Sequence, residues 1–248
     1  MRTAPPYGFS CDVYDRLVGE YAHQHWRENC ERLLKRYPMD LSLVADVACG
    51  TGLNAAYLAE RGSEVYAVDV SPDMLRKAAC RLAGRRNVVI LRQDMRYLEL
   101  PRRVYTLFCA TDSLNHLLRE EDIILAAGSF FRSLRPGGHL VCDANTAWQL
   151  REGADEVPWE FELEGWRVTW RSGWDEESQT AVLGISLRRG DEGWRRELRE
   201  THRERAYSAS FLCGALREAG FCEVEVRDAA GLGKPGALTR RLLFVAVK

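Results

Sequence analysis

One short segment constrains the fold of this chain more than any other, and it reads VADVACGTG at residues 44–52. Its apolar first half has the character of a short buried strand, and the carboxylate of Asp46 lies near the end of that run. Gly50 and Gly52 then form a bare turn, and residues 53–61 have helical character up to Gly62. A buried strand joined to a helix by a glycine turn is typical of α/β proteins whose backbone approaches a ligand at that turn.

The alternation of strand and helix continues along most of the chain. Ser71 has the position of a helix N-cap and Pro72 the first helical position, and further helices are predicted at about 120–134 and at 208–219. Strands are predicted at 43–47, 64–70, 88–91, 105–110, 139–143, 222–227 and 242–247. This alternation predicts the α/β class, with a doubly wound, mostly parallel sheet of seven strands and helices on both faces.

Two segments depart from this rhythm. Residues 1–36 precede the first strand and have helical apolar spacing, which predicts an N-terminal helical lid. Residues from about 158 to 206 alternate apolar and polar side chains with period two, which predicts an antiparallel β insert with one wet face. The predicted organisation is a lid at 1–36, an α/β core at 37–150 and 207–248, and the insert at 151–206.

Composition excludes several classes of partner. The formal net charge of −1 and the isoelectric point near 6.5 give no reason to expect a nucleic acid or a membrane as partner. No apolar run approaches the roughly 20 residues that a membrane helix needs, and the N-terminus lacks the apolar middle of a signal peptide, so a cytoplasmic location is expected. The eight cysteines are scattered without ligand spacing, and therefore neither a metal site nor a disulfide framework is expected.

The charge beside the glycine turn indicates which ligand the turn binds. The string GTGLNA at 50–55 matches the dinucleotide fingerprint, and Asp69 follows at about the 20-residue offset of a ribose-binding acid. A pyrophosphate would be repelled by Asp46 just ahead of the glycines, whereas a ligand with positive charge would be favoured. S-adenosylmethionine has a ribose, an adenine and two cationic groups but no phosphate, and it fits both acids.

Several motifs in register resemble those of the class I S-adenosylmethionine-dependent methyltransferases. DVACGTG resembles the first motif of that family, VDVSPDMLRKA its second strand and following helix, RQDM its adenine-binding segment, and LRPGGHLVCDA its approach to the fifth strand. Together they cover residues 44–146, and the terminal pair FCEVEVRDA and RRLLFVAVK is similar to the hairpin that closes the family's sheet. The resemblance implies a Rossmann-like fold and S-adenosyl-L-methionine as cofactor.

The resemblance also implies roles for individual residues. The turn would hold the methionine end of the cofactor, Asp69 would bind both ribose hydroxyls, and Asp94 would accept a hydrogen bond from the adenine amino group. The competing interpretations are a helix cap for Asp69 and a turn residue for Asp94. The predicted cofactor-binding residues are Tyr14, Trp26, Asp46, Ala48, Cys49, Gly50, Gly52, Asp69, Val70, Met74, Asp94, Met95, Ala110 and Thr111.

The outlying segments point to the methyl acceptor. The N-terminal FSCDVYDRLVGEYAHQHW resembles the helical lid of small-molecule members, and in relatives that modify amino sugars or small amines an insert at this position roofs the substrate site. After the fourth strand the sequence reads CATDSLNHL, and the motif of nucleic-acid amino methyltransferases is missing there. His116 in this loop is the candidate base. The predicted acceptor-site residues are Ser113, Asn115, His116, Trp148, Trp166 and Trp170.

The sequence therefore predicts an enzyme that transfers a methyl group to a nitrogen, or an oxygen, of a small molecule. Three alternatives stay open at this stage. The arginine-rich strand WRRELRETHRER is compatible with an RNA methyltransferase, although alternating acids and bases more often mark a solvated face. The string GTGLNA alone is compatible with a nicotinamide-dependent oxidoreductase, and a non-catalytic cofactor-binding protein would carry the same motifs.

Overall fold

The computed structural model describes residues 2–3, 5–154, 158–163, 165–189 and 196–248, which form two β-sheets and six α-helices. The helices are α1 (Glu20–Arg36), α2 (Leu53–Glu60), α3 (Pro72–Arg81), α4 (Glu120–Ser133), α5 (Ala147–Glu152) and α6 (Ala209–Glu218). The strands are β1 (Arg2–Thr3), β2 (Leu43–Val47), β3 (Glu64–Asp69), β4 (Val88–Arg92), β5 (Val104–Cys109), β6 (Leu134–Asn145), β7 (Trp159–Leu163), β8 (Trp166–Asp175), β9 (Thr180–Arg189), β10 (Arg196–Arg205), β11 (Glu223–Asp228) and β12 (Arg241–Val247). Within this part of the chain, no helix is both long and apolar enough to cross a membrane.

The larger sheet has seven strands in the order β11-β12-β6-β5-β2-β3-β4. Its strands run parallel except β12, which pairs antiparallel with both β6 and β11. Helices α1, α2 and α3 pack on one face of this sheet, and α4 and α6 pack on the other. The predicted α/β class with a doubly wound, mostly parallel seven-stranded sheet is therefore confirmed.

Local signals in the sequence set the ends of the elements. Ser71 caps α3 by accepting a hydrogen bond from the Met74 backbone N–H at 3.3 Å, and Pro72 takes the first helical position. Helix α4 ends at Ser133, and the Pro-Gly-Gly sequence after it lies inside β6 at a shift of register against β5. The predicted stop signal therefore lies within a strand, at an irregularity of its pairing, and not directly at the end of the helix.

The smaller sheet has the strand order β1-β10-β9-β8-β7. Strands β7 to β10 pair antiparallel in sequence order, as predicted for the insert, and α5 spans the predicted boundary with the core. A small apolar cluster of Val168, Ile185, Leu187 and Leu198 lies between this sheet and the N-terminal segment, where Val13 completes it. Trp194, in the predicted charged strand, lies outside the described residues.

The N-terminal segment differs in part from the predicted helical lid. A short 3₁₀ helix (Ser10–Asp12), a π-helix (Asp15–Gly19) and α1 are helical as expected, but Arg2–Thr3 forms β1 and pairs parallel with β10. The outer edge of β10 offers unpaired backbone groups, and these attract an extended segment that has no helical periodicity of its own. The beginning of the chain is thereby joined to the small sheet.

Candidate functional site

The glycine turn after β2 has the backbone conformation that its sequence predicts. Ala48, Gly50 and Gly52 have φ values of 57°, 54° and 82°, in the left-handed region that favours glycine. A Cβ on Gly50 would meet nothing within 4 Å, whereas one on Gly52 would lie 3.2 Å from the side chains of Ala78 and Leu82. Gly50 therefore leaves room for a ligand, and Gly52 allows α3 to pack closely.

Asp69, at the end of β3, holds this turn in place. Its Oδ2 accepts a hydrogen bond from the Gly50 backbone N–H at 2.8 Å, and its Oδ1 accepts one from the Ser71 N–H at 2.8 Å. Burial raises the pKa of Asp69, and these backbone hydrogen bonds oppose the shift. Each carboxylate oxygen keeps a second lone pair, so the group can accept from a ligand as well. The helix cap itself is Ser71.

Asp46 lies beneath the turn and is buried with an unsatisfied oxygen. Its Oδ2 has no hydrogen-bond partner, and among the described residues only Arg205 Nε shares that condition. Burial, and then the negative charge of Asp69, raise the pKa of Asp46 to about 7. The carboxylate accepts a hydrogen bond from the Ala55 backbone, but a buried oxygen without a partner is costly, and a cationic ligand above the turn would relieve that cost. The residues present therefore fit a positively charged ligand that also carries a ribose.

A cleft of about 930 Å³, called here the main cleft, opens where the strand order reverses between β2 and β5. A compartment of about 40 Å³ beside the turn adjoins it, lined by Cys49 together with His23 and Asn54, which hydrogen-bond each other at 2.7 Å. The predicted residues brought together in the main cleft are Tyr14, Ala48, Gly50, Asp69, Val70, Met74, Met95, Thr111, Ser113 and His116.

An ion pair fastens the N-terminal segment to the glycine turn. Asp15 accepts hydrogen bonds from the Thr51 hydroxyl at 2.5 Å and from the Arg81 guanidinium at 2.7 Å. Arg81 also donates to the Thr51 carbonyl at 2.6 Å. Three elements, the π-helix, the turn and α3, are thus tied at one point, and Tyr14 next to Asp15 is held against the main cleft.

The loop after β5 is strained and is held by a second buried acid. Thr111 and Asp112 have φ values of 57° and 58°, which costs energy for residues with a side chain. Asp143 on β6 accepts hydrogen bonds from both of their backbone N–H groups, at 3.0 Å and 2.6 Å. Arg241 on β12 forms ion pairs with Asp143 at 3.2 Å and with Asp112 at 3.4 Å. This cross-bracing fixes the loop that borders the main cleft.

A cavity of about 320 Å³, called here the acidic cavity, adjoins the main cleft and shares Tyr7, Tyr14 and Thr111 with it. Trp170, which was predicted to line the acceptor site, lies on its wall, as do Asp112 and Glu204. Burial, and then the nearby Asp112 carboxylate, raise the pKa of Glu204 to about 8. The space is small, partly aromatic and richer in carboxylates than in cations.

His116 meets Tyr7 at the boundary between these two spaces. The His116 Nε2 lies 2.9 Å from the Tyr7 hydroxyl, and His116 also hydrogen-bonds the backbone of Arg203. Burial lowers the pKa of His116, partly offset by the charge of Asp112, and burial raises the pKa of Tyr7 well above its usual value. His116 is therefore neutral near pH 7 and able to accept a proton.

The remaining predicted residues lie apart from these two spaces. Trp26 and Ala110 line a third cavity of about 470 Å³ between α1 and the sheet. Asp94 directs both oxygens to the guanidinium of Arg96, and Asn115, fully buried, bonds the backbone of Asn145 and Arg205. Guanidinium groups lie over the rings of the other two predicted residues, Trp148 and Trp166.

Sequence reasoning missed several residues that the fold brings to the site. They are Tyr7, Asp112, His202, Glu204 and Arg241, all of which line the acidic cavity. One signal could have found two of them, because the period of two along β10 places Leu198, Glu200, His202 and Glu204 on one face. Leu198 belongs to the small apolar cluster, so that face points inward.

Comparison with known proteins agrees with this geometry. The model of a methyltransferase domain matches residues 44–138. YqeM of Bacillus subtilis (strain 168), whose name describes a methyltransferase, is 29% identical over 97% of this chain and 96% of its own length.

Solved structures are similar over nearly the whole chain. An S-adenosylmethionine-dependent methyltransferase from Clostridium acetobutylicum ATCC 824 has a TM-score of 0.82 at 20% identity, covering 97% of this chain and 98% of that one. The S-adenosylmethionine-bound structure of CalS10, an amino pentose methyltransferase from Micromonospora echinaspora, has a TM-score of 0.72 at 25% identity, covering 95% and 96%.

The fold, the site and these similarities together define a Rossmann-like methyltransferase. More closely, the chain resembles the class I S-adenosylmethionine-dependent methyltransferases, and S-adenosylmethionine is its cofactor. The cofactor supplies a methyl group on a sulfonium, and its positive charge suits the unsatisfied carboxylate of Asp46.

We expect cofactor affinity to rise between about pH 6 and pH 8, because the cation favours ionised Asp46, whose pKa is about 7 in the free protein. The raised pKa also means that Asp46 favours the folded state at low pH and that this contribution is lost as the pH rises through 7. Calorimetry in buffers of different ionisation enthalpy should show proton release on binding. Asp46→Asn should abolish that release, and a release that persists in the variant would assign it to another group.

Asp69→Ala should weaken cofactor binding at least roughly tenfold, because hydrogen bonds to a charged group are worth about 1.5–3 kcal/mol each. It should also lower stability, since the Gly50 and Ser71 N–H groups lose their acceptor. Ser208→Ala, which removes a helix cap far from the cleft, serves as a control that costs about 1 kcal/mol of stability alone. Equal affinities in the two variants would limit Asp69 to a structural role.

Proposed function

We propose that this enzyme transfers the methyl group to the nitrogen of a small-molecule amine that enters the acidic cavity. The observation that carries the proposal is the pair of carboxylates, Asp112 and Glu204, in a small aromatic space beside the main cleft. A methyl acceptor has to reach the boundary of the two spaces, which Tyr7, Tyr14 and Thr111 form.

The charge of the acidic cavity supports a cationic acceptor. Arg241 is the cationic side chain on its wall, and its ion pairs with Asp112 and Asp143 already engage it. Among the described residues, Glu204 forms no ion pair, and its hydrogen bond comes from the Asn145 amide at 3.4 Å. Although the charge of Arg241 lowers it, the pKa of Glu204 stays at about 8, and a bound ammonium group would lower it further and favour the ionised form of Glu204.

The aromatic walls support the same class of acceptor. Tyr7, Tyr14 and Trp170 line the cavity, and the ring faces of tyrosine and tryptophan attract cations at short range. With a volume of about 320 Å³, the cavity suits an amine on a small metabolite or a single sugar rather than a nucleic acid. The similarity to an amino pentose methyltransferase also favours an amine.

An amine has to lose a proton before its lone pair can attack carbon, and Tyr7 and His116 provide a path for that proton. With the other ring nitrogen engaged at the Arg203 backbone, we assign Nε2 of His116 as the acceptor of the Tyr7 hydroxyl hydrogen bond. A proton released in the cavity can pass to the Tyr7 oxygen while the hydroxyl proton passes to His116. Because His116 is neutral near pH 7, its ring nitrogen is available to accept that proton.

The protein's remaining task is alignment. Methyl transfer forms a carbon–nitrogen bond and breaks the carbon–sulfur bond of the sulfonium, which leaves as neutral S-adenosylhomocysteine. Because that leaving group is already activated, most of the catalysis comes from holding the two reactants in line in a site shielded from water. Asp143, Arg241 and Asn115 contribute by fixing the loop after β5, and we assign them positioning roles.

A screen with labelled methyl donor tests the proposal directly. Primary amines, amino sugars and their hydroxyl counterparts should be compared, and we expect methylation of amines but not of the matched alcohols. Glu204→Gln should lower kcat/KM for the amine at least roughly tenfold by removing a charge partner, with cofactor affinity unchanged. Glu197→Gln, on the outward face of the same strand, is the matched control. Preferred transfer to alcohols, or full activity of Glu204→Gln, would contradict the proposal.

His116→Ala tests the proton path on the same acceptor. The wild-type rate should fall on the acid side below a pH of about 6.5, since burial lowers the pKa of His116 beneath its usual value. The variant should lose that limb of the profile and about 10²–10⁴-fold in kcat, with little change in cofactor affinity. His139→Ala, also a partly buried histidine but on β6 away from the cavity, is the control. An unchanged profile with lower thermal stability would make His116 structural.

A further inference from the structure

One buried carboxylate, Glu200, accepts several hydrogen bonds from residues 7–10 of the N-terminal segment. Glu200 lies on the inward face of β10 with only 3% of its surface exposed. It accepts hydrogen bonds from the Ser10 backbone N–H at 2.8 Å, the Ser10 hydroxyl at 2.6 Å and the Tyr7 N–H at 3.2 Å, and a further short one from the Phe9 N–H. His202 Nε2 lies 3.2 Å from the same carboxylate.

The segment that Glu200 holds forms part of both functional spaces. Pro5, Pro6 and Tyr7 line the main cleft, and Tyr7 also lines the acidic cavity. Tyr7 has a φ of 63°, a left-handed conformation that a tyrosine does not adopt without support. Because Glu200 accepts hydrogen bonds on both sides of this strained residue, it stabilises the conformation that aims the Tyr7 hydroxyl at His116.

We propose that Glu200 is a positioning residue that acts through Tyr7, by holding residues 5–10 as the wall shared by cofactor and acceptor. The part of this role that concerns the acceptor rests on the proposed amine methylation, whereas the part that concerns the cofactor does not. Glu200 itself is not among the residues that line the main cleft or the acidic cavity.

The ionised form of Glu200 is essential to this arrangement. Burial alone would raise its pKa, but the hydrogen bonds from His202, Ser10 and the backbone of Phe9 and Ser10 outweigh burial and hold the pKa below its usual range. A carboxylate offers two oxygens with about four acceptor positions, and the donors around Glu200 use them. A glutamine would offer one oxygen in place of two and would place an NH₂ group beside the Tyr7, Phe9 and Ser10 N–H donors.

Loss of the Glu200 carboxylate should therefore lower the fraction of molecules in which residues 5–10 form the wall of the two spaces. Both ligands then bind more weakly in proportion to that fraction, even though no residue in contact with them has changed. The segment keeps further ties, among them the pairing of β1 with β10, the contact of the Tyr7 ring with His202 and the Asp15–Arg81 ion pair. Because these ties remain, we expect the protein to fold without the Glu200 carboxylate.

Glu200→Gln in the full-length protein, with Glu197→Gln as the outward-facing control on the same strand, tests the inference. We expect amide hydrogen exchange of Tyr7, Phe9 and Ser10 to accelerate by roughly tenfold or more. Affinity for S-adenosylmethionine should fall by roughly fivefold to tenfold in proportion to the lost ordered fraction. Neither change should occur in Glu197→Gln. Unchanged exchange in Glu200→Gln would overturn the inference.

Tyr7→Phe separates a positioning role from a merely structural one. This variant loses the hydroxyl and its bond to His116 but keeps the backbone hydrogen bonds to Glu200, so amide exchange and cofactor affinity should change much less than in Glu200→Gln while kcat for the amine falls. In the double variant, Tyr7→Phe should reduce kcat less than it does in the wild-type background, because Glu200 acts through Tyr7. Additive effects would overturn the link to Tyr7. If no amine is methylated, the proposed function fails, but the exchange and affinity measurements still decide the role of Glu200.

Ser10→Ala is a milder variant that tests the same contact if Glu200→Gln folds poorly. It removes the hydroxyl donor at 2.6 Å and keeps the Ser10 backbone donor. Exchange at Tyr7 and Phe9 should accelerate in the same direction by a smaller factor. A Ser10→Ala protein with wild-type exchange and wild-type cofactor affinity would contradict the inference.

Discussion

Two buried carboxylates, each accepting backbone N–H groups from the loops at the carboxyl end of the sheet, support the whole site. Asp69 fixes the glycine turn after β2, and Asp143 fixes the strained loop after β5. Both loops use left-handed backbone conformations that would relax without these acceptors. The main cleft lies between the two loops, so its shape depends on acids that point at the protein's own backbone as much as at a ligand.

The same acids give the site its electrostatic character. Asp46, Asp69 and Glu204 all have raised pKa values, with burial as the largest cause, and the charge of Arg241 opposes the shift only at Glu204. The free protein therefore holds carboxyl groups that are costly to ionise, and the cationic cofactor is one ligand that relieves this cost. An amine acceptor would relieve the same cost at Glu204. Cofactor binding and acceptor binding would then both bring a positive charge to a buried carboxyl group.

The N-terminal segment completes both spaces, although it lies far from them in the sequence. It is joined to the glycine turn through Asp15 and Arg81 and to the small sheet through Glu200. Tyr7 and Tyr14, between these ties, form the wall where the main cleft meets the acidic cavity. The small sheet thus contributes through β10 as well as through Trp170 of β8, and its other face carries the alternating ion pairs that the sequence suggested.

The sequence by itself determined the seven-stranded fold, the glycine turn and the positions of Asp46 and Asp69, because these depend on short-range patterns and on spacing within one βαβ unit. Only the tertiary structure decided which face of β10 points inward. Both faces of that strand carry charged side chains, and the single apolar residue Leu198 is a weak signal for separating the buried Glu200 from the half-buried Glu197. Likewise, Tyr7 has no periodic pattern around it that could mark its role. That role arises from contacts with distant parts of the chain, such as the hydrogen bond from its N–H to Glu200, 193 residues further on. Long-range contacts of this kind are set by packing between elements, which a local pattern does not encode.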